Sequence, residues 1–245
     1  MTRNARHTFP TDSVPPRGRL VLHGGGRVEP ALRQRLLDMA GGMAARVVII
    51  PQASAVPDNW QAILEAWREA GSRAAELLDL TKPSHAIAQL ERADLVWLGA
   101  GDQARLVTAL VATSVAEVLR RRYHDGLIVG AVSAGTAAMS AVMITGEPAD
   151  PETGATHLAA GLGLWPKVIL DQHVLARQRL GRLMRAVADH PGLVGVGIDE
   201  DTCIIVDEGQ RFVVEGRSQA VVVDSAAGAV ESRSIGPGEM HQLAG

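Results

Sequence analysis

From Arg19 onward, short apolar runs alternate with longer amphipathic segments. Leu20–Leu22 reads as a strand that runs into Gly24-Gly25-Gly26, and Glu29–Ala40 then sets Leu32, Leu36, Leu37 and Met39 at helical spacing. Val47–Ile50 is an unbroken β-branched run, as expected of a strand covered on both faces. Asp58–Ala70 predicts a helix with Asp58 as its N-cap. Leu77–Leu80 and Leu95–Leu98 read as strands with a short helix, Ser84–Arg92, between them. Ala104–Ala112 and Val115–Tyr123 read as helices, and Leu127–Val132 as a further buried strand that ends at Ser133. Strand and helix alternating at this spacing give βαβ units, hence an α/β fold with a mostly parallel sheet covered on both faces. After a helix over Ala176–Asp189 the pattern changes. Val194–Ile198, Cys203–Val206, Phe212–Glu215 and Ala220–Val223 are short strands divided by Gly, Asp and Glu, which predicts hairpins that finish or flank the sheet. Residues 1–18, with three prolines, read as a flexible N-terminal arm, and 19–245 as one domain without internal repeat or linker.

Composition narrows the function classes. Of 245 residues, 47% are hydrophobic and 21% charged, which suits a large packed core. Aromatics are only 3% and the net charge is −3, so neither a base-stacking platform nor a phosphate-binding patch is expected, and nucleic acid is not an expected partner. The single cysteine, Cys203, rules out an internal disulfide and suits a reducing compartment. The polar N-terminal segment lacks an apolar signal core and the apolar runs are too short to span a bilayer, so a cytoplasmic protein with no membrane partner is expected.

Four loops after predicted strands carry side chains with chemistry. In Gly130-Ala131-Val132-Ser133-Ala134-Gly135-Thr136, a buried strand runs into a serine followed by small residues. That is the composition of a strand-to-helix elbow presenting a nucleophile, with the Ala134 amide as an oxyanion donor and a following helix aiming its positive end at the serine. Small residues also serve a plain helix–sheet packing contact, and the segment by itself fits both. Gly99-Ala100-Gly101-Asp102-Gln103 follows another strand, so Gly101 can present a second N–H to the same crevice while Asp102 caps the next helix. His173, in Asp171-Gln172-His173, is the best placed base among the histidines. Arg179 and Arg182 follow it three residues apart and, on one helix face, would both reach a substrate carboxylate or simply face solvent. Asp199-Glu200-Asp201 offers a carboxylate to orient the imidazole, or a solvated turn. Other chemistries fit poorly. Gly24-Gly25-Gly26 lacks the G-x-G-x-x-G spacing and no ribose-binding acid follows Val47–Ile50; there is no Walker lysine and no His/Cys metal spacing, so neither cofactor nor metal is expected.

Taken in order, Gly-Asp-Gln, Ser-Ala-Gly, Asp-Gln-His with its arginine-bearing helix, and Gly-Ile-Asp-Glu make the chain similar to the cyanophycinase and dipeptidase E-like serine peptidases, from about Arg19 to about Val223. The resemblance implies a three-layer α/β sandwich of the class I glutamine amidotransferase-like (flavodoxin-like) kind, a homodimer, and hydrolysis of peptide bonds involving aspartate. In cyanophycinases the substrate is a poly-aspartate chain carrying arginine on its side-chain carboxylates, and the product is β-Asp-Arg; in the related dipeptidases it is an aspartyl dipeptide. By position, the resemblance implies Ser133 as nucleophile, His173 as base, Glu200 as the acid, and Gly101 and Ala134 as oxyanion donors. It implies Gln103, Asp171, Gln172, Arg179 and Arg182 as substrate-pocket residues. The chain departs from the family at Ala100, where glycine is usual, and at Ala131, Val132 and Thr136 around the serine. These departures bear on substrate fit rather than on the nucleophile.

Overall fold

The computed structural model describes residues 14–146, 155–226 and 229–243. Its first half is βαβ throughout: β1 (Arg19–His23), α1 (Pro30–Met39), β2 (Arg46–Ile50), α2 (Pro57–Glu69), β3 (Ala74–Leu77), α3 (Pro83–Arg92), β4 (Leu95–Leu98), α4 (Gln103–Val111), α5 (Val115–His124) and β5 (Ile128–Val132). A one-turn α6 (Ala134–Ala137) leads to β6 (Val142–Ile144), β7 (Leu158–Ala160), β8 (Val168–Gln172) and α7 (Leu180–Asp189). Strands then dominate: β9 (Val194–Ile198), β10 (Thr202–Asp207), β11 (Arg211–Gly216), β12 (Ala220–Ala226), β13 (Ala229–Ile235) and β14 (Met240–Gln242).

The main sheet has the order β14-β11-β10-β1-β5-β4-β2-β3. From β1 to β3 every pairing is parallel, and from β1 to β14 every pairing is antiparallel. The parallel half is therefore buried on both faces, which is why its strands read as unbroken apolar runs. On one face Val21, Val47, Ile49, Trp97 and Ile205 meet Leu36 and Leu37 of α1 and Leu64 and Trp67 of α2. On the other, Leu22, Val48, Val96 and Val129 meet α3, α4 and α5 together with Leu170 and Val196 from a second sheet. That second sheet, β13-β12-β9-β8, is covered on its far side by α7. The fold is thus a three-layer α/β sandwich in which a small second sheet shares one outer layer with helices.

The differences from the sequence reading are local. Of the predicted arm, residues 1–13 lie outside the described residues, whereas the amides of Arg17 and Gly18 donate to His124 and Tyr123 at the end of α5. The strand expected at Leu77–Leu80 is Ala74–Leu77, because the chain turns inward at Leu78, held by Gln52 Nε2 on its carbonyl. Pro57 starts α2 one residue earlier than expected, leaving Val56 at the N-cap and Asp58 in the first turn. Helix α7 begins at Leu180 rather than Ala176. Residues 174–178 instead form turns, closed by Asp199 Oδ1 accepting from the Leu175 and Ala176 amides. The four late strands divide between sheets: β10 and β11 form a hairpin that finishes the main sheet, as expected, while β9 and β12 pair in the second.

Candidate active site

Ser133 follows the last residue of β5 with φ 53° and ψ −107°, a backbone conformation that costs a residue with a side chain about 1–3 kcal/mol. Its neighbours allow this. Ser133 N donates to His23 O at 3.0 Å, and Thr136 Oγ1 donates to the same carbonyl at 2.8 Å. A methyl group on Gly135 would sit 2.7 Å from the Leu98 carbonyl, and one on Gly130 2.5 Å from the Trp97 ring. The small residues therefore do pack, and what they pack around is a strained serine. The expected following helix is a single turn, α6, with Ser133 at its N-cap, so its dipole is short. The Ala134 amide stands at N1 of that turn. Gly101 comes three residues after Leu98, which pairs with Ala131 across β4 and β5, so it leaves the same sheet edge as Ser133. Its φ of 140° and the 2.3 Å separation between a would-be Cβ and the Ala53 carbonyl admit only glycine. Asp102 caps α4 by accepting from the Arg105 amide at 2.9 Å, as expected.

The second sheet delivers the other two residues. β8 and β9 are parallel with Gln172 opposite Ile198, so the residues just past their ends, His173 and Asp199-Glu200, emerge side by side. His173 Nε2 lies 2.9 Å from Ser133 Oγ and its Nδ1 lies 2.5 Å from Glu200 Oε1. This geometry fixes the tautomer: Nδ1 carries the proton toward the carboxylate and Nε2 is free to accept from the serine. Burial is the largest influence on the ring and lowers its pKa from 6.5; the hydrogen bond to Glu200 opposes this, and Arg177 and Arg179 add to it. The imidazole is therefore neutral at pH 7, the form a general base requires.

The three acids of the turn have separate duties. Glu200 takes the imidazole. Asp199 closes the turns before α7 and accepts from Ser218 Oγ at 2.7 Å; burial raises its pKa, but these hydrogen bonds outweigh it and hold the carboxyl below the usual range. Asp201 accepts from the Arg27 amide at 2.6 Å.

The arginines depart from expectation. Because α7 starts at Leu180, Arg179 precedes it and the two guanidiniums do not converge on one carboxylate. Arg179 Nη1 donates to Gln172 Oε1 at 2.5 Å and to the Gln172 carbonyl at 3.1 Å. Arg182 grips Asp171 in a two-pronged pair at 2.7 and 2.5 Å, with the Asp171 side chain 1% exposed. Gln103, expected in the pocket, is buried and donates to the Ile144 carbonyl at 3.0 Å. Asp171 is thus a prop beneath the site, its carboxylate enclosed and held by Arg182, and Gln103 ties the start of α4 to β6 through its amide nitrogen. Arg182→Met, which strands the buried Asp171 carboxylate, is expected to destabilise the fold by about 3–5 kcal/mol, with Asp171→Leu in the same chain restoring most of it. Denaturant midpoints measure this, and a loss under about 1 kcal/mol contradicts the prop role.

Sequence reasoning missed the Gly24-Gly25-Gly26 loop, discarded there as a failed dinucleotide motif. His173 N donates to the Gly24 carbonyl at 3.0 Å, and a Cβ on Gly25 would lie 2.1 Å from His173 Cε1, so this loop is the seat of the imidazole. Its signal was a glycine triplet directly after the first strand of a parallel sheet. Among the described residues, no cluster of three His, Cys, Asp or Glu side chains is placed to hold a metal ion, and no helix is long and apolar enough to cross a membrane.

Comparison with known proteins supplies the kinship. The sequence profile of peptidase family S51 matches residues 20–214. A cyanophycinase from Trichormus variabilis is 39% identical over 194 residues, 76% of this chain and 65% of its own length. One from Thermosynechococcus vestitus is 34% identical over 218 residues, 84% of this chain and 68% of its own. The chain thus spans about two thirds of the length of these relatives. Among solved structures, a peptidase from an acI-B1 Actinobacterium superposes with a TM-score of 0.72 at 17% identity, covering 92% of this chain and 97% of that one. A peptidase E-type protein from Listeria monocytogenes superposes with a TM-score of 0.60 at 16% identity, covering 82% of this chain and 99% of that one. At these identities the two structures speak for the fold.

Proposed function

The chain belongs to peptidase family S51, and from that premise we propose that it is a serine peptidase that hydrolyses cyanophycin to β-Asp-Arg through Ser133, His173 and Glu200. The observation that carries the reading is the unbroken hydrogen-bonded line from Ser133 Oγ through His173 to Glu200. Ser133 attacks the scissile carbonyl as His173 Nε2 takes its proton, and Glu200 stabilises the imidazolium that results. The Ala134 and Gly101 amides hold the developing oxyanion. His173 returns the proton to the departing amine, and water then hydrolyses the ester on Ser133 by the same base. Arg177, 3.7 Å from Glu200, and the partly buried Arg179 both act electrostatically on His173, and positive charge there favours a substrate with a free carboxylate near the scissile bond. The protein acts in the cytoplasm as a homodimer, a reading that rests on its lone buried Cys203 and on the family.

Incubation with insoluble cyanophycin is expected to release soluble β-Asp-Arg. Turnover of small aspartyl dipeptides with the polymer left intact would move the assignment to a dipeptidase, and no hydrolysis of either would refute it.

A pH dependence follows from the lowered His173 pKa. A base whose pKa lies below 6.5 stays neutral as the pH falls, so kcat/KM is expected to be flat near pH 7 and to fall only below 6.5. Arg177→Met removes a charge that disfavours the imidazolium, so the acidic limb should move to higher pH. A parent midpoint above 6.5, or a variant limb moved to lower pH, contradicts this order of effects.

A further inference from the structure

We propose that His23 is a positioning residue, whose ring holds the Gly24-Gly25 turn as a clip joining the three segments that carry Ser133, His173 and Glu200. The proposal rests on the catalytic reading above. His23 ends β1, and its carbonyl takes the Ser133 amide at 3.0 Å. The next carbonyl, Gly24, takes the His173 amide at 3.0 Å, and the one after, Gly25, takes the Asp201 amide at 2.9 Å, directly beside Glu200. Three consecutive carbonyls thus bind the three catalytic segments, which come from two different sheets. The face of Gly25 lies against the His173 ring, where a Cβ would come within 2.4 Å of Nε2.

A glycine triplet is a poor clip unless something holds it, because glycine has the most backbone freedom to lose. The holding group is His23 itself. Its Nδ1 accepts the Gly25 amide at 3.2 Å, in a residue only 3% exposed, with Gly25 at φ 117°. Without an acceptor there, the enclosed amide loses its partner, and the floor under His173 loosens. One side of the ring borders a pocket of about 280 Å³ that Leu32 and Cys203 also line. Accepting at Nδ1 places the His23 proton on Nε2, the opposite tautomer to His173. Burial holds the ring neutral, with a pKa lowered to about 4; Asp201 opposes this, while Arg33 and His173 reinforce it.

Two variants separate the acceptor from the bulk of the ring. His23→Leu keeps the apolar volume and removes the acceptor, whereas His23→Asn keeps an oxygen near the position of Nδ1. His23→Leu is expected to lower kcat about 100-fold with KM little changed, as for a catalytic group displaced by about 1 Å, and His23→Asn to recover most of the loss. Spectra of ¹⁵N-histidine-labelled protein at rest provide a readout that does not depend on turnover. The parent should show His23 as the neutral Nε2–H tautomer at pH 7, together with a strongly downfield proton for the His173 Nδ1–Glu200 bond. That proton should be broadened or lost in His23→Leu and kept in His23→Asn. Should the Leu variant not fold, the parent tautomer and the Asn variant decide. An Nδ1–H tautomer at His23, equal losses in both variants, or an unperturbed His173 proton in His23→Leu overturns the clip. A parent that shows these spectra yet hydrolyses nothing overturns the catalytic reading instead.

Discussion

Ser133→Ala is expected to lower kcat for β-Asp-Arg release about a million-fold while the protein remains folded. The size of the loss follows from the division of labour at the site. Without the hydroxyl no acyl-enzyme forms, and the oxyanion donors and His173 are left to assist direct attack by water, which retains only a small part of the acceleration. Stability should behave differently. Alanine inherits the φ of 53°, so unfolding should barely change. Ser133→Gly should be as inactive as the alanine variant yet more stable by about 1 kcal/mol, because glycine relieves the strain at that position. Rates measured with the insoluble polymer and thermal unfolding of both variants test the pair of statements. Activity within tenfold of the parent in either variant would remove Ser133 from the chemistry. A glycine variant less stable than the parent would show that the elbow is not strained.

Glu200→Gln is expected to lower kcat about ten-thousand-fold, with little change in KM. The amide is nearly isosteric, so the loss comes from electrostatics and tautomer. Glutamine can present its NH₂ to His173 Nδ1, which would move the proton to Nε2 and leave no acceptor for the Ser133 hydroxyl. It also cannot stabilise the imidazolium. In the proposed mechanism Ser133, His173 and Glu200 act as a unit, so adding Glu200→Gln to Ser133→Ala should cost almost nothing more. Strict additivity of the two losses would mean that the residues contribute separately. Loss of activity through a raised KM alone would make Glu200 a binding residue.

Much of this site is legible in the sequence because its parts stand at the ends of buried strands. Val132-Ser133 and Leu98-Gly99 follow continuous apolar runs, so these two loops could be placed at the carboxyl end of one sheet without coordinates, whereas His173 comes from a second sheet that the sequence did not separate from the first. The choice of Glu200 over Asp199 and Asp201 was open in the residues alone. It turns on the register that sets Gln172 opposite Ile198, which is a tertiary fact. The expectation that Arg179 and Arg182 share a helix face failed for a related reason. Periodicity carried a helix back to Ala176, but the Asp199 carboxylate captures the Leu175 and Ala176 amides and holds that stretch in turns. Asp171 and Gln103 entered as substrate-pocket residues only through the family resemblance. Only packing reveals that Arg182 already holds the Asp171 carboxylate and that the Ile144 carbonyl takes the Gln103 amide nitrogen. Likewise the Gly24-Gly25 turn carries no side chain from which a role could be read, and its significance lies in which backbone carbonyls it points outward.

The most direct test of the central claim is stoichiometric labelling with a fluorophosphonate, followed by peptide mapping and an assay for β-Asp-Arg release from cyanophycin. One adduct per chain is expected, on Ser133, with release falling in proportion to labelling and no adduct in Ser133→Ala. An adduct on another residue, or undiminished release from fully labelled protein, would contradict it.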